Sequence, residues 1–436
     1  MSSTAPPRLR PGPIPSPAPA AGGDVANWIR WSVVCLLSLG MVIAYTDRVN
    51  LSAVLTEIGR DMGMDKERQG MAMSAFFWTY TIFQIPAGML VDRFGVRVLY
   101  LGGFLLWSLA SAATTLIGGS FALLIVLRLL VGTGESVVTS SSLRYIRDHF
   151  EEKRRGLAVG IYMTGTKIGP AVGIPVAAYL AKSYSWQTMF LVLGAGSLLW
   201  LVPFLLLVKK TDKSARGRAA AAAAAGPSPE ASITLGQALR TPLMWGIILG
   251  TYCYMYFVYY CMTWMPTYFR ERHGMSIEKM SWFAFVSFGG MAAVTALAGW
   301  AADYLIARGG DPVRVRRNFT IAGFAAASLQ TLSVFTDSQS LMIFFTVASL
   351  CGLGLATANY WALTQTLMPG ALPVAIQNTA ANLAGIVAPW LTGWLIKQTG
   401  SFDTPIKAVG VWLALGVFAY VFLVRREYAP RVVQPA

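Results

Sequence analysis

Five charged side chains lie inside stretches of the sequence that are otherwise apolar. They are Asp47, Arg48, Arg128, Glu135 and Lys167. A charge near the middle of a membrane-spanning helix costs about 2.5–3.5 kcal/mol on insertion scales, so such residues usually face a polar cavity and mark a substrate or ion pathway. We therefore expect the five side chains to line one wet cavity and to neutralise one another in part.

The types of these residues predict the joint binding of an anion and a proton. Arg48 and Arg128 are the expected anion binders, because a guanidinium presents a planar set of donors that matches a carboxylate. While they are ionised, Asp47 and Glu135 compete with that anion, and their protonation frees the cations. Both histidines of the chain fall in predicted loops. A carboxylate is therefore the expected proton carrier.

The depth of each group follows from the helical rise of about 1.5 Å per residue. Counting from the outer ends of the predicted spans gives an outer layer about 10–15 Å deep and an inner layer about 21–22 Å deep. The outer layer holds Asp47, Arg48, Tyr80 and Arg128, and the inner layer holds Glu135 and Lys167. Asp47 and Arg48 are expected to neutralise each other. The alternative is a static ion-pair network between helices, in which a salt bridge to Glu135 accounts for Lys167.

Aromatic side chains supply further candidates for the site. Tyr80 and Gln84 are four residues apart and share one face of the second predicted span; Gln84 serves equally well as a packing amide. In the run "TYCYMYFVYYCMTWMP", Tyr252, Tyr256 and Tyr260 form a stripe at helical spacing. Such a stripe more often serves packing, but phenols are unusual within a membrane. Tyr256 and Tyr260 are the preferred cavity-lining candidates.

The deep polar groups of the second half of the chain are amides, namely Asn359, Gln365, Asn378 and Asn382. An amide both donates and accepts hydrogen bonds, which suits substrate hydroxyls or a carboxylate edge. Asn359 is one candidate for substrate binding. Contact between helices is the alternative for these amides.

The composition indicates a multi-pass membrane protein. Of the 436 residues 55% are hydrophobic and only 13% are charged, whereas a soluble domain carries about 25% charged residues. The net charge of +15 does not indicate nucleic acid, because the basic residues lie in short loops between apolar runs. All four cysteines fall in apolar stretches, and no cluster has metal-ligand spacing. We expect no metal, no organic cofactor and no disulfide framework, with the proton as the coupling ion.

Apolar runs predict an all-α membrane fold with twelve transmembrane helices in two six-helix halves. The spans lie near 31–55, 70–91, 98–117, 120–144, 157–181, 187–208, 242–269, 281–306, 318–335, 339–367, 371–398 and 403–424. The halves are 31–208 and 242–424, joined by a charged, Ala-rich linker over 209–241. Residues 1–30 and 425–436 are predicted to be tails, the first of them disordered. Lys and Arg are concentrated in the loops on the side of both tails, which predicts cytoplasmic termini.

A short repeat supports this division into halves. The segment "GMLVDRFGVR" follows the second predicted span, and "GWAADYLIARGG" follows the eighth. Both contain Gly-x-x-x-Asp at the predicted cytoplasmic end of a span. Asp92, Arg93, Arg97 and Asp303 are too shallow for a substrate site, so we predict that they form a latch that stabilises one closed state. Two repeated halves match a transporter plan with the site between them.

Several motifs resemble those of a known family. Gly88, Asp92, Arg93, Gly95 and Arg97 look like the loop signature of the major facilitator superfamily. More narrowly, "YTDRVNLS", "FFWTYTIFQIPAGMLVDRFG", "RLLVGTGES", "GTKIGP" and "NLAGIVAP" resemble the anion:cation symporters, which include bacterial sugar-acid and aromatic-acid uptake systems, sialin and the vesicular glutamate transporters.

The resemblance carries functional roles to matching positions of this sequence. It implies proton coupling for Asp47 and Glu135, and substrate contact or gating for Arg48 and Arg128. Tyr80 and Asn382 match further substrate-binding positions. The "GTK" that contains Lys167 occurs in only part of the family.

We therefore expect a secondary transporter that imports an organic anion by proton symport and works as a monomer in contact with membrane lipid. An exchanger, a facilitator or a drug exporter of the same fold is the alternative. An integral-membrane enzyme is disfavoured, because the sequence offers no reactive cluster of residues within the predicted spans. The first predicted outside loop, 56–69, is short, which favours a bacterial inner membrane.

Overall fold

The computed structural model describes residues 27–208, 234–336, 338–368 and 371–429. The predicted N-terminal tail lies outside the described residues up to residue 26. Residues 209–233 of the predicted linker and 430–436 of the second tail also lie outside them.

The first half of the chain is built from long helices that run back and forth. They are α1 (Asn27–Ala53), α2 (Lys66–Phe94), α3 (Val96–Ala113), α4 (Phe121–His149), α5 (Glu152–Ser183) and α6 (Trp186–Ser197). A short helix, Leu55–Asp61, lies between α1 and α2, and helical structure continues α3 to Leu116 and α6 to Val208.

The second half repeats this arrangement after a short helix, Leu235–Leu239. Its helices are α7 (Pro242–Glu271), α8 (Ile277–Ala307), α9 (Pro312–Ala327), α10 (Gln339–Leu367), α11 (Ala371–Thr399) and α12 (Asp403–Phe418). A 3₁₀ segment, Ser328–Phe335, continues α9, and a π-helical turn, Ala419–Leu423, continues α12. Each predicted span overlaps one of the long helices.

Short polar residues set where many of these helices begin. Asp65 accepts a hydrogen bond from the Arg68 backbone N–H at the start of α2, and Ser120 does the same for Leu123 at the start of α4. Such N-caps satisfy backbone donors that have no partner within the helix. Within the described residues, eight helices are long and apolar enough to cross a membrane.

The two halves share one packing pattern. Within the first half α1 packs on α5, and α4 packs on both α2 and α3; within the second half α7 packs on α11, and α10 packs on both α8 and α9. The halves meet through α2 against α11 and α5 against α8, with a smaller contact between α1 and α7. Each equivalent helix therefore has the same neighbours in both halves.

The turns of the sequence repeat also match. Gly95, between α2 and α3, has φ +84°, and Gly309, after α8, has φ +96°. L-residues with a side chain rarely adopt such a backbone, so glycine is required at these two turns. The repeat seen in the sequence thus corresponds to two equivalent turns.

Glycines bring the helices of the first half close together. A Cβ at Gly132 of α4 would lie 2.1 Å from the Phe76 carbonyl oxygen of α2, and one at Gly169 of α5 would lie 2.4 Å from Cβ of Tyr45 on α1. Nearby, the Thr79 hydroxyl donates to the Leu129 carbonyl at 2.6 Å. These approaches hold α1, α2, α4 and α5 around one point in the middle of the half.

We predict that Gly132→Ala lowers the thermal stability of the detergent-purified protein, because the added methyl group collides with the α2 backbone. Overpacking of this kind costs about 1–3 kcal/mol. Gly102→Ala on α3 is the matched control, since nothing lies within 4 Å of its Cβ position. It should leave the melting temperature unchanged or raise it, because Gly in a helix costs about 0.5–1 kcal/mol relative to Ala. Equal melting temperatures for the two variants would contradict the close approach of α2 and α4.

Candidate functional site

A buried ion pair joins α1 to α4 at the centre of the first half. The Arg48 Nε donates to the Glu135 Oε2 at 2.8 Å, and the two side chains are only 4% and 0% exposed. The prediction of separate layers is therefore wrong for Arg48 and Glu135, which lie at the same depth. A count along each helix ignores its tilt and the reach of a long side chain, and both errors act here.

Asp47 has hydrogen-bond partners that differ from the partner of Arg48. Its Oδ1 accepts hydrogen bonds from the Asn50 Nδ2 and from the Ser111 Oγ of α3, both at 3.1 Å. The prediction that Asp47 and Arg48 neutralise each other is wrong, because successive side chains on a helix diverge by about 100°. Each residue of the pair meets its own partners instead.

Arg128 lies in the same cluster without a hydrogen bond to its Nε among the described residues. Its guanidinium is 5.5 Å from the centre of the Phe76 ring and interacts electrostatically with both Asp47 and Glu135. One oxygen of each carboxylate, Asp47 Oδ2 and Glu135 Oε1, also has no hydrogen-bond partner in the described part of the chain. The cluster thus keeps free donor and acceptor capacity in a buried place.

Aromatic rings enclose the Arg48 guanidinium. Its Cζ lies 4.3 Å from the ring centre of Tyr45, 4.4 Å from that of Tyr80 and 5.0 Å from that of Phe76. These are cation–π distances. Tyr80, predicted as a site residue, is therefore beside Arg48. Tyr45 was missed, although it precedes Arg48 by three residues and so shares its helix face.

The second half of the chain reaches this cluster through Tyr259 of α7. Its ring packs on Phe77 of α2 at 4.5 Å between centres, and Phe77 in turn packs on Phe76, one of the rings beside Arg48. Sequence analysis singled out its neighbour Tyr260 and missed Tyr259. The signal was the run of tyrosines itself, which does not tell which face of α7 turns toward α1 and α2.

The predicted tyrosine stripe packs within the second half. The rings of Tyr252 and Tyr256 lie 5.1 and 5.4 Å from that of Trp412 on α12. Tyr256 and Tyr260 are 0% and 1% exposed, and neither hydroxyl has a hydrogen-bond partner among the described residues. These contacts agree with the packing alternative for the stripe.

Amides connect the two halves near the cluster. The Nδ2 groups of Asn378 and Asn382 on α11 both donate to the Gln84 Oε1 of α2, at 2.8 and 2.9 Å. Asn359 is fully buried, and its Nδ2 donates to the Leu355 carbonyl of its own helix at 2.9 Å. Asn382 thus bridges the halves in this conformation.

Lys167 stands apart from the other charges. It is half-buried on α5, and no ion pair or hydrogen bond joins its ammonium to a described residue. The alternative that a salt bridge to Glu135 accounts for Lys167 is therefore wrong. α5 turns its glycine face, and not the face that carries Lys167, toward α1.

Ion pairs join the halves at one face only of the described structure. This closed face, where α1, α5, α7 and α11 end, carries four interhalf groups of ion pairs. They are Arg270–Glu57, Lys66–Glu271, Lys182–Glu278, and Lys397 with Asp65 and Glu67.

The predicted latch residues lie at the opposite face. Asp92 accepts from Arg144, and Asp303 accepts from the Arg316 Nη2 at 3.0 Å. Both pairs stay within their own half. Arg93 lies over the Phe94 ring at 5.3 Å, and Arg97 forms no ion pair with a described residue. At this face no ion pair between described residues connects the halves.

The sequence matches a model of the Major Facilitator Superfamily over residues 37–374. The chain is 29% identical over 424 residues to the probable anion transporter 6, chloroplastic, of Arabidopsis thaliana, covering 92% of this chain and 82% of that protein. It is 27% identical over 419 residues to the probable galactarate/D-glucarate transporter GudP of Bacillus subtilis, covering 91% and 92%. Identity to the hexuronate transporter of Bacillus subtilis is 28% over 404 residues, covering 90% and 93%.

Solved structures show the same fold. A bacterial homolog of the human lysosomal transporter Spinster, in an inward-facing and unoccupied conformation, has a TM-score of 0.74 at 17% identity, covering 94% of this chain and 100% of that one. A D-xylose-proton symporter has a TM-score of 0.71 at 16% identity, covering 92% and 98%. With the family match across most of its length, the chain belongs to the major facilitator superfamily and is a membrane transporter.

Proposed function

We propose that the protein imports an organic anion by proton symport, as a monomer with alternating access in a bacterial inner membrane. The twelve long helices then all cross the bilayer, with both termini in the cytoplasm. The relatives named for galactarate, glucarate and hexuronate support a carboxylate substrate. The charge cluster supports the coupling to protons.

The buried Arg48–Glu135 pair is the observation that carries this proposal. In the low-dielectric interior, Arg48 needs a negative partner, and Glu135 supplies it at 2.8 Å. Protonation of Glu135 leaves the guanidinium free for a substrate carboxylate. Deprotonation restores the pair and expels the anion. A proton and an anion therefore favour each other's binding, which is the thermodynamic requirement for symport.

Asp47 offers a second protonation site on the other side of the cluster. Its carboxylate interacts electrostatically with Arg128, so a proton on Asp47 would free that guanidinium. Hydrogen bonds from Asn50 and Ser111 stabilise its ionised form. Glu135 lacks such neutral donors, and its ionised form is stabilised by Arg48 and Arg128, the same cations that an incoming anion would occupy. We therefore assign the main proton carrier to Glu135.

Aromatic and amide groups complete the proposed substrate site. Tyr80 borders Arg48 from the first half, and Tyr259 of the second half packs on Phe77 nearby, so both are assigned as contacts of an anion bound at Arg48. Asn382 becomes available to substrate when its bond to Gln84 opens. Asn359, Tyr256 and Tyr260 stay as predicted contacts, each with a buried polar atom that has no described partner.

Alternating access requires that the site can be closed toward each side of the membrane in turn. The ion pairs between the halves at the closed face are a candidate for one of these two closures. The closed face corresponds to the predicted outside, so we assign an inward-facing state to this structure. Asp65 at this face keeps its charge in acid, because the Arg68 backbone N–H, and then Lys397, hold its pKa below the usual value. Asp92, Arg93, Arg97 and Asp303 are assigned to the closure of the opposite face.

Glu135→Gln should abolish accumulation driven by a pH gradient and retain counterflow exchange in proteoliposomes. The amide mimics the protonated acid, so anion binding persists without release of a proton. Glu427→Gln, at an exposed position after α12, is the control and should behave as wild type. Intact accumulation in Glu135→Gln would overturn the assignment of the proton carrier. Loss of counterflow with retained folding would favour a structural role for the pair.

Arg48→Lys should weaken anion binding by about 10-fold or more, because a single ammonium cannot replace a bidentate, stacked guanidinium. The measurement is the apparent affinity for the best transported anion in counterflow. Arg314→Lys, at an exposed position of α9, should leave the affinity unchanged. An unchanged affinity in Arg48→Lys would exclude Arg48 as the direct anion binder.

A cleavable bifunctional thiol reagent should block transport when it links Cys residues placed at Lys66 and Glu271, because the link holds the closed face shut. Cleavage of the reagent should restore activity. The single variants Lys66→Cys and Glu271→Cys, treated with the same reagent, are the controls, since neither can form the link between the halves. Transport by the fully linked Lys66/Glu271 protein would contradict an opening of this face.

A further inference from the structure

Lys167 is a charge that the proposed proton–anion exchange does not use. The guanidinium groups of Arg48 and Arg128 are matched by the carboxylates of Asp47 and Glu135. Lys167 is therefore the excess charge among the five. It has no ion pair or hydrogen bond with a described residue.

The depth of Lys167 rules out contact with either membrane surface. It lies 15 residues after Glu152 and 16 before Ser183, at the middle of α5. That is about 22 Å from one end of the helix and about 24 Å from the other, far beyond the reach of a lysine side chain. An uncompensated charge at such a depth is costly, and this cost is offset only where the charge meets water or an anion.

The face of α5 that carries Lys167 is exposed toward the start of the helix and buried toward its end. Gly165, Gly169 and Gly173 turn toward α1, so the residues about half a turn away face α8, the other main neighbour of α5. That second face is Gly160, Met163, Lys167, Ala171, Ile174 and Ala178. The last three are at most 4% exposed, whereas Gly160 and Met163 are exposed. Lys167, which is half-buried, lies between the buried and the exposed part of this face.

The level of Lys167 is close to that of the charge cluster. Gly169 contacts Tyr45, whose ring lies 4.3 Å from the Arg48 Cζ. Lys167 is two residues away from Gly169, which is about 3 Å along the helix axis. Lys167 therefore lies at about the level of Arg48, on the face of α5 turned away from α1, where a long anion held by Arg48 could extend toward it.

We propose that Lys167 binds a second negative group of the substrate, so that the preferred substrate is a dicarboxylate. This inference rests on the proposed function and deepens it. With one proton on Glu135 the five groups carry two excess positive charges, which a dianion neutralises completely. A monoanion leaves one charge unmatched in the membrane interior. Lys167 thus sets specificity, and Arg48 supplies the site common to both kinds of anion.

Binding of matched anion pairs to the purified full-length protein tests this proposal. The pairs are galactonate with galactarate, benzoate with terephthalate, and propionate with succinate, each differing by one carboxylate. Affinities from ligand-induced thermal shifts are compared at neutral and mildly acidic pH for wild type, Lys167→Gln and Lys167→Arg. Lys407→Gln, at an exposed position of α12, is the control for loss of a charge.

For a matched pair whose members bind the protein, the affinity of wild type for the dianion should exceed that for the monoanion by about 10-fold or more. Lys167→Gln should remove that preference while the affinity for the monoanion stays unchanged, which also shows that the variant is folded. Lys167→Arg and Lys407→Gln should keep it. A preference that survives in Lys167→Gln, or a preference of wild type for the monoanion, would overturn the dicarboxylate assignment.

The same measurement separates this inference from the proposed function. If Arg48→Lys weakens the binding of anions while Lys167→Gln leaves the preference for the dianion unchanged, the role of Lys167 is overturned and the organic-anion site at Arg48 is supported. The absence of stabilisation by every member of the three pairs counts against both.

Discussion

The buried contact between Arg48 and Glu135 is the constraint around which the first half is organised. The attraction between two buried charges offsets their desolvation only when the geometry and the surroundings are favourable. Removal of one partner leaves the other charge buried and unpaired, which lowers the stability by about 3–5 kcal/mol. Glycine contacts bring α1, α2, α4 and α5 close enough for the 2.8 Å bond. The rings of Tyr45, Phe76 and Tyr80 then exclude water from the guanidinium.

The halves share one packing pattern but divide the chemistry unequally. All five intramembrane charges belong to the first half, whereas the second half contributes phenols and amides, notably Tyr259, Asn378 and Asn382. A half that holds the buried charges and a partner half without them fit the proposed cycle. The second half can move across the site without separating the buried Arg48–Glu135 pair, and the ion pairs that it must break lie at the closed face.

Charges that do cross between the halves lie at the closed face, where water reaches them. Lys66 and Glu271 are each about one-quarter exposed, and Lys182 and Glu278 are more than half exposed. Pairs of this kind are weak singly, so the halves can separate there without a large barrier. Several such pairs together still favour one conformation. Exposed pairs that separate easily suit the closed face, whereas the pair that couples proton and anion lies in the interior.

The sequence by itself determined the helical membrane fold, the two halves and the identity of the charged residues, because apolar length and hydrophobic spans are local properties. It also assigned Arg48, Arg128, Asp47 and Glu135 to one cavity, because charges inside apolar helices are costly unless they face a shared polar space, but the depth count placed Glu135 in a separate layer. Only the tertiary structure decided which partner each side chain meets. Arg48 pairs with Glu135 and not with Asp47, Tyr259 and not Tyr260 packs on Phe77 of α2, and Lys167 forms no ion pair with a described residue. Those outcomes depend on helix rotation and tilt, which are set by glycine contacts between helices far apart in the chain.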